Sequence, residues 1–219
     1  STTEDPNSVL TSLEPHQHCI HDDASIQTSP LWQKSDFINA VSRIQEHIVE
    51  GHIYQANLSY PLSIETPLSI PELFRVIHQE NPAPYAACMM LNKHEIASFS
   101  PELFFTYNNK IISSKPIKGT ISRFLEPAED EAAKQSLSHS EKDNAELLMI
   151  TDLLRNDLGQ LCKPGSIQVK KLNEIESYPY VHHLVSTIVG RCRDDVTQMD
   201  ALAKLSPGGS ITGCPKIRC

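Results

Sequence analysis

Two side chains near the middle of the chain could take part in nucleophilic or acid–base chemistry. Lys118 ends an apolar, strand-like run and is followed by Gly119 in the segment PIKGT. A lysine amine becomes a nucleophile when burial or a neighbouring cation lowers its pKa, and it can also clamp a carboxylate. The residue type alone favours an ordinary surface lysine whose charged end lies in water. Glu102 stands beside aromatic residues in SPELFF, where a carboxylic acid tends to have a raised pKa and can act as a general acid, although a strand-start glutamate exposed to water is more common.

The C-terminal half adds a second carboxylate, a histidine and a lysine. Glu146 lies on the apolar stripe of a predicted long helix, where it needs a partner, and Mg²⁺ or an arginine would serve equally well. His183 shares a strand face with Val181 and Val185, and a histidine in that position is more often a core residue than a ligand. The glycine-rich segment PGGSITGCPK is not a P-loop, because Cys214 follows its last glycine and Lys216 comes two residues later. Its backbone N–H groups and lysine could still hold a carboxylate.

The composition limits the classes of protein to which the chain can belong. The chain has 219 residues with a hydrophobic fraction of 39 % and a charged fraction of 21 %, which are typical of a folded globular protein. A net charge of −8 argues against a general nucleic-acid binder. The chain shows no run of about 20 apolar residues and no signal peptide, so we expect no membrane span. Its six cysteines form no C-x-x-C pair, which favours reduced thiols and a cytoplasmic location.

The elements that must position these residues follow from periodicity and capping. Residues 1–34 are polar and predict a linker or a loosely attached segment, and the folded body is expected from 35 to 219. Helices are predicted at 35–51, 69–81, 138–161 and 194–205, with capping boxes at Ser69/Glu72 and Ser138/Glu141. Strands are predicted at 52–62, 85–91, 95–107, 110–117, 166–175 and 181–192, with a turn at Asn108-Asn109 and an acidic loop leading into a helix over 123–139. This order favours an α+β fold with large, mostly antiparallel sheets.

The strand predicted at 52–62 has one polar face that includes Gln55. Such a face can line a polar cleft, although the pattern alone favours an ordinary strand with a solvated side.

Taken together, these segments resemble the chorismate-binding enzymes over residues 32–219. Seven stretches in family order carry the resemblance: GHIYQANLS, NPAPYAACM, SPELFF, PIKGTISR, EKDNAELLMITDLLRNDLG, VHHLVST and PGGSITGCPKIR. The resemblance implies an α+β fold in which two large antiparallel sheets face each other with helices outside. It also implies a domain that is incomplete at its C-terminus, because the family continues beyond the PKIR segment. We therefore expect little or no activity from the isolated chain.

Lys118 makes the chain most similar to the aminodeoxychorismate synthase component I branch, since the anthranilate and isochorismate branches carry a small residue there. The resemblance implies that this lysine adds to C2 of chorismate, that Glu102 protonates the departing C4 hydroxyl, and that ammonia then attacks C4. Gln55 matches the position of a lysine base in the relatives that use water. The substrate-binding residues implied by the resemblance are Gln55, Thr120, His183, Ser210 and Lys216. Glu146 is implied as a ligand of Mg²⁺.

The same resemblance implies 4-amino-4-deoxychorismate as the product, which leads to p-aminobenzoate and folate. It also implies a glutamine amidotransferase subunit as the partner that supplies ammonia. Two alternatives stay open. One is anthranilate synthase component I, against which Lys118 argues, and the other is a non-catalytic fragment of such an enzyme.

Overall fold

The computed structural model describes residues 28–219, which divide into two compact units. One unit takes in Tyr60–Pro101 and the described residues before Lys34, and the other takes in Lys34–Ser59 and Glu102–Cys219. All the candidate residues lie in this second unit. Most of the linker predicted at 1–34 falls outside the described residues, and a domain boundary at residue 34 stays a prediction.

The described residues form helices and strands in mixed order. In chain order these are β1 (Thr28–Pro30), α1 (Lys34–Val49), β2 (Gln55–Ala56), β3 (Leu62–Ile64), α2 (Ile70–Glu80), β4 (Tyr85–Leu91), β5 (His94–Ser100), β6 (Leu103–Asn108), β7 (Ile111–Lys115), β8 (Ile117–Ser122), α3 (Pro127–Ser138), α4 (Glu141–Gly159), β9 (Gln168–Ser177), β10 (Val181–Arg191), α5 (Gln198–Leu205), α6 (Gly209–Thr212) and β11 (Gly213–Cys214). Within residues 28–219, no helix is both long and apolar enough to cross a bilayer.

The first unit consists of two small antiparallel sheets and a helix. Strand β1 pairs with β3, and β4 pairs with β5. The predicted capping box of α2 is confirmed: the Ser69 hydroxyl accepts the Glu72 backbone N–H, and the Glu72 carboxylate accepts the Ser69 backbone N–H. The buried ring of Phe74 stacks on Phe99 with 5.2 Å between centroids, which fixes the helix on the hairpin.

The second unit is organised around strand β10. One edge of β10 pairs with β9, while the other edge pairs with β8 along its first half and with β7 along its second half. Strand β6 extends the sheet beyond β7, and every pairing is antiparallel. The predicted α+β class with antiparallel sheets is therefore confirmed.

Helix α4 covers this sheet with an apolar face. Its Ile150, Leu154 and Leu158 are buried in one cluster with Ile112 of β7 and Ile188 of β10. Burying a side chain of this size stabilises the fold by roughly 1.5–3 kcal/mol. The cluster therefore holds β7, β10 and α4 as one body, on which the candidate residues are mounted.

Cysteines also contribute to this core. Cys162 and Cys192 form an isolated backbone bridge inside the same cluster, and all five cysteines within the described residues are free thiols. Burial raises the pKa of the Cys162 thiol to about 12, so the sulfur behaves as a small apolar group.

Three predicted strands are shorter or broken in the structure, and the one predicted at 110–117 is divided at Pro116 into β7 and the start of β8. Residues 52–62 contain only β2 and the first residue of β3, because the partner of β2 is the two-residue strand β11 and the hydrogen-bond ladder cannot extend further. Tyr54, just before β2, is 70 % exposed. The strand predicted at 95–107 is divided into β5 and β6 at Pro101, which lacks the N–H that a continuous ladder requires.

Three boundaries also differ from the sequence prediction. Helix α4 is capped by Ser140, whose hydroxyl accepts the Asp143 backbone N–H, whereas Ser138 ends the preceding helix. That helix, α3, occupies most of the region expected to be a loop leading to a helix. The turn after β6 lies one residue later than predicted, since Asn109 and Lys110 have the positive φ values of 49° and 63° that a tight hairpin turn needs.

A bulge at Gly119 controls the register between β8 and β10. His183 pairs with Thr120 and Leu184 pairs with Lys118, so Gly119 is left over between the two pairs. Its φ of +69° is in the region that favours glycine. An added Cβ would lie 2.8 Å from Leu137 Cδ1, so the position is also too crowded for a side chain.

We predict that Gly119→Ala destabilises the fold by about 2–5 kcal/mol, because backbone strain and overpacking both oppose the methyl group. The matched control is Gly165→Ala, where φ is +74° but nothing lies within 4 Å of an added Cβ, so about 1 kcal/mol of backbone strain is expected. Urea unfolding of both variants measures the difference. Equal losses in the two variants would show that close packing at Gly119 contributes nothing.

Candidate active site

The carboxyl of Glu102 is the centre of the candidate site. Glu102 precedes β6, and its Oε1 accepts a hydrogen bond from the Ser210 hydroxyl at 2.7 Å. Burial raises the pKa of Glu102 above its ordinary value, although the Ser210 hydroxyl, the charge of Lys118 and the Ile117 backbone N–H each act to lower it. The net result is a carboxyl group that holds its proton to higher pH than an exposed glutamate.

Lys118 lies close enough to influence that carboxyl. It occupies β8 opposite Leu184, is half-buried, and its charge acts electrostatically on Glu102. Ser210 of α6 is therefore hydrogen-bonded to Glu102 at the start of β6, and Lys118 of β8 interacts electrostatically with the same carboxyl. An amine beside a proton-holding carboxyl is suited to a nucleophilic step coupled to protonation of a leaving group.

His183 and Thr120 form a second polar pair across the same two strands. Thr120 Oγ1 lies 2.8 Å from His183 Nδ1. The imidazole is buried, and burial lowers the pKa of His183, while a hydrogen bond with the Gly119 carbonyl and the charge of Glu176 partly oppose the shift. A neutral imidazole in this place can donate or accept one hydrogen bond without adding charge to the site. Its pairing with a hydroxyl distinguishes it from an apolar core residue.

Gln55 carries an amide oxygen with no partner. Strand β2 pairs with β11, so Gln55 lies opposite Cys214, four residues beyond Ser210. Within the part of the chain that the structure describes, Gln55 Oε1 is buried and accepts no hydrogen bond. A buried, unsatisfied acceptor is costly, and a ligand that donates a hydrogen bond would remove the cost.

Lys216 is held by the chain itself. Its Nζ contacts Asp157 Oδ2 at 3.0 Å and the carbonyl oxygens of Leu205 and Lys204 at 2.9 and 3.2 Å. Both side chains of the ion pair are nearly buried, with 13 % and 10 % exposure. The contacts join the C-terminal segment to α4 and α5, and a role of Lys216 in substrate binding stays a prediction.

Glu146 fits a metal ion as one ligand among several. It lies on α4 with 36 % of its side chain exposed, and its nearest cation is Lys142 at 4.0 Å. Carboxylate oxygens are the ligands that Mg²⁺ prefers, and this ion is often bound by one or two carboxylates with waters and substrate oxygens. Among residues 28–219, no cluster of three ligating side chains includes Glu146. Glu146 therefore offers one carboxylate oxygen to such an ion.

One buried polar network was missed by reasoning from the sequence. His182 is fully buried, with Nε2 2.9 Å from Asp130 Oδ1 and Nδ1 2.8 Å from Ser177 Oγ. Hydrogen bonds from Arg123 and from the Phe124 backbone N–H hold the pKa of Asp130 well below its usual range. The network positions the start of β10, and therefore His183. Alternation along the strand could place His182 on one face, but nothing in the sequence indicates a partner 52 residues away.

The family comparison agrees with this fold and with these motifs. A family model described as chorismate binding enzyme matches residues 2–219, so the chain belongs to the chorismate-binding enzyme family.

Individual relatives come from two branches of that family. Aminodeoxychorismate synthase component 1 of Klebsiella aerogenes is 36 % identical over 98 % of this chain and 48 % of the relative. Anthranilate synthase alpha subunit 1, chloroplastic, of Oryza sativa subsp. indica is 37 % identical over 89 % of this chain and 34 % of the relative. The crystal structure of anthranilate synthase component I from Streptococcus pneumoniae TIGR4 superposes with a TM-score of 0.80 at 31 % identity, covering 97 % of this chain and 47 % of that chain. The chain thus spans less than half the length of these relatives.

We predict that the stability of the wild-type chain falls, relative to Glu102→Gln, as the pH rises from about 4 to 8. The sign follows from linkage: a carboxyl whose pKa is raised in the folded state favours folding while it is protonated, and this contribution is lost as the pH rises through the folded pKa. Urea unfolding across this range measures the difference. The control is Glu129→Gln, at an exposed position, where we expect no comparable change. If the free energies of unfolding of the wild type and of Glu102→Gln changed in parallel with pH, this result would contradict the raised pKa of Glu102.

Proposed function

We propose that the chain is part of an aminodeoxychorismate synthase component I, which replaces the C4 hydroxyl of chorismate by an amino group taken from ammonia. The observation that carries the proposal is the buried Glu102 carboxyl, which accepts a hydrogen bond from Ser210 and interacts electrostatically with Lys118. Support also comes from the Klebsiella aerogenes relative of that name, which aligns with 98 % of the chain.

The proposed reaction uses these two side chains in two substitutions. In the first, the amine of Lys118 forms a bond to C2, both conjugated ring double bonds shift by one bond toward C4, and the C4–O bond breaks while Glu102 donates a proton, so that water leaves. In the second, ammonia forms a bond to C4, both double bonds shift back, and the C2–N bond breaks to release Lys118. A proton from the added ammonia returns to Glu102. The sum is chorismate plus ammonia giving 4-amino-4-deoxychorismate plus water, and the covalent step divides one hard displacement into two easier ones.

The neighbouring polar groups support this chemistry. A carboxyl with a raised pKa keeps its proton to higher pH than an exposed glutamate, which suits a general acid, and the Ser210 hydroxyl donates a hydrogen bond to it at 2.7 Å. The unpaired amide oxygen of Gln55 suits an N–H donor such as ammonia, which needs no strong base for activation. We assign Thr120 and the neutral His183 to substrate contacts, because they form one hydrogen-bonded pair on strands β8 and β10.

The proposal includes a metal ion and a partner. Glu146 would hold Mg²⁺ as one of its ligands, and when bound the ion neutralises the ring carboxylate of chorismate. Lys216 would bind the same carboxylate of chorismate only if its Nζ gave up its ion pair with Asp157. Ammonia would come from a glutamine amidotransferase subunit, and a cytoplasmic location stays a prediction.

Anthranilate synthase component I is the second candidate. It is favoured by the fold match to the Streptococcus pneumoniae enzyme and by the 37 % identity to the Oryza sativa subsp. indica relative. The product distinguishes the two, because anthranilate is aromatic and fluorescent, whereas 4-amino-4-deoxychorismate keeps its enolpyruvyl group and needs a separate lyase to become aromatic.

We predict that Lys118→Ala, made in the complete enzyme that contains this segment, reduces formation of 4-amino-4-deoxychorismate from chorismate and ammonia to background. The physical reason is that the covalent route disappears with the amine. The control is Lys170→Ala, at an exposed position on β9, which we expect to keep full activity. Product analysis by chromatography measures both. Unchanged turnover in Lys118→Ala would remove the lysine from the mechanism.

We also predict that Glu102→Gln in the same enzyme slows turnover by about 10²–10⁴-fold, since an amide cannot donate the proton that the departing hydroxyl needs.

The covalent intermediate on Lys118 supplies a second measurement. Without ammonia, intact-mass spectrometry of the wild type should detect an adduct of chorismate minus water, and Lys118→Ala should lack it. An adduct of the same mass on Lys118→Ala would assign the nucleophile to another residue.

A further inference from the structure

Three side chains with metal-ligating atoms meet at the C-terminal end of α1. His47 lies in the last turn of the helix, Glu50 lies just beyond it, and His52 lies two residues further. Nδ1 of His47 is 3.3 Å from Nδ1 of His52, and Glu50 Oε2 is 3.6 and 3.2 Å from these two nitrogens. Of the described residues, only this group brings three ligating side chains within mutual reach.

The backbone, rather than the side chains, brings the two histidines together. Helix α1 ends at Val49, and Gly51 adopts a φ of +75°, which reverses the chain direction. The Gly51 N–H then donates to the Ile48 carbonyl at 3.0 Å, and the His52 N–H donates to the His47 carbonyl at 2.9 Å. This hydrogen-bonded helix end places the two imidazoles next to each other before any ion is bound.

The distances match the edges of a small tetrahedral coordination sphere. With ligands about 2.0–2.1 Å from zinc, two ligand atoms of a tetrahedron lie about 3.3–3.4 Å apart. The three separations at His47, Glu50 and His52 range from 3.2 to 3.6 Å. Two imidazole nitrogens with one carboxylate oxygen are typical ligands of zinc and its neighbours, whereas Ca²⁺ and Mg²⁺ prefer sites built from oxygen.

Electrostatics and access also favour a cation at this place. The negative end of the helix dipole lies at the C-terminus of α1. Two Nδ1 atoms facing each other at 3.3 Å need a shared proton, and a metal ion can replace that proton while using both lone pairs. The side chains of His47, Glu50 and His52 are 51 %, 57 % and 51 % exposed, so an ion can enter and leave without unfolding the chain.

We propose that His47, Glu50 and His52 bind one divalent transition-metal ion, with zinc as the best fit and water in the fourth position. The bound ion joins the end of α1 to the segment that leads into β2. Gln55 comes three residues after His52, so the ion restrains the approach to a candidate site residue. This site is separate from the magnesium proposed at Glu146, and it does not depend on the proposed activity.

Zinc binding to the 219-residue chain tests the site. Calorimetric titration with Zn²⁺ should give one equivalent more for the wild type than for His47→Gln, Glu50→Gln or His52→Gln. The control is His94→Gln, at an exposed position of the β4–β5 hairpin, which should bind as the wild type does. Zinc bound by cysteines or by other histidines is common to all these variants and cancels in the comparison. Equal stoichiometry in the wild type and the three site variants overturns the proposal.

Two further measurements distinguish a metal site from a cluster of ion pairs. Ring ¹⁵N spectra with zinc should show ligation at Nδ1 of both His47 and His52, with the proton on Nε2. The melting temperature of the wild type and of His94→Gln should rise when zinc is added, and this additional rise should be absent from the three site variants. If zinc leaves the spectra of both rings unchanged, the three side chains form ion pairs only and the proposal is wrong.

Discussion

Strand β10 has no open edge along most of its length, and this pairing constrains the remainder of the second unit. One edge is occupied by β9, and the other is shared between β8 and β7. Strands β7 and β8 are consecutive in the sequence and pair with the same edge of β10, so the position of β8 along β10 is constrained by its short connection to β7. The extra residue between the Thr120 and Lys118 pairs must then be accommodated as a bulge, and Gly119 accommodates it. The buried hydrogen bond between His182 and Asp130 holds the start of β10, so the candidate residues on both strands share one rigid support.

The electrostatic balance of the candidate site depends on burial more than on the total charge. A chain with a net charge of −8 is a poor general attractor for an anion such as chorismate, and positive charge has to be supplied locally. Lys118 contributes positive potential at Glu102, and burial raises the pKa of that carboxyl, which weakens its tendency to balance this potential. Lys216 contributes much less to the local field, because Asp157 balances its charge at 3.0 Å.

Local rules predicted the fold well wherever the deciding interactions lie within a few residues. The capping box at Ser69 and Glu72 and the long strands β9 and β10 agree with the capping residues and the periodicity of the sequence. The strand expected at 52–62 is wrong over most of its length because its partner is only two residues long, and partner length is a tertiary property. For the site, motif spacing led to Lys118 and Glu102. The contacts that determine their behaviour, such as Ser210 on Glu102 108 residues away, are long-range and can be seen only in the fold.

The ion pair between Lys216 and Asp157 has a consequence for how this chain can vary. Removing either partner would leave a nearly buried charge without compensation, which costs more than the pair itself contributes. A single substitution at either position should therefore destabilise the fold, whereas a simultaneous exchange of both for apolar residues of similar volume should be tolerated. We expect these two positions, 59 residues apart in the chain, to change together in evolution rather than one at a time.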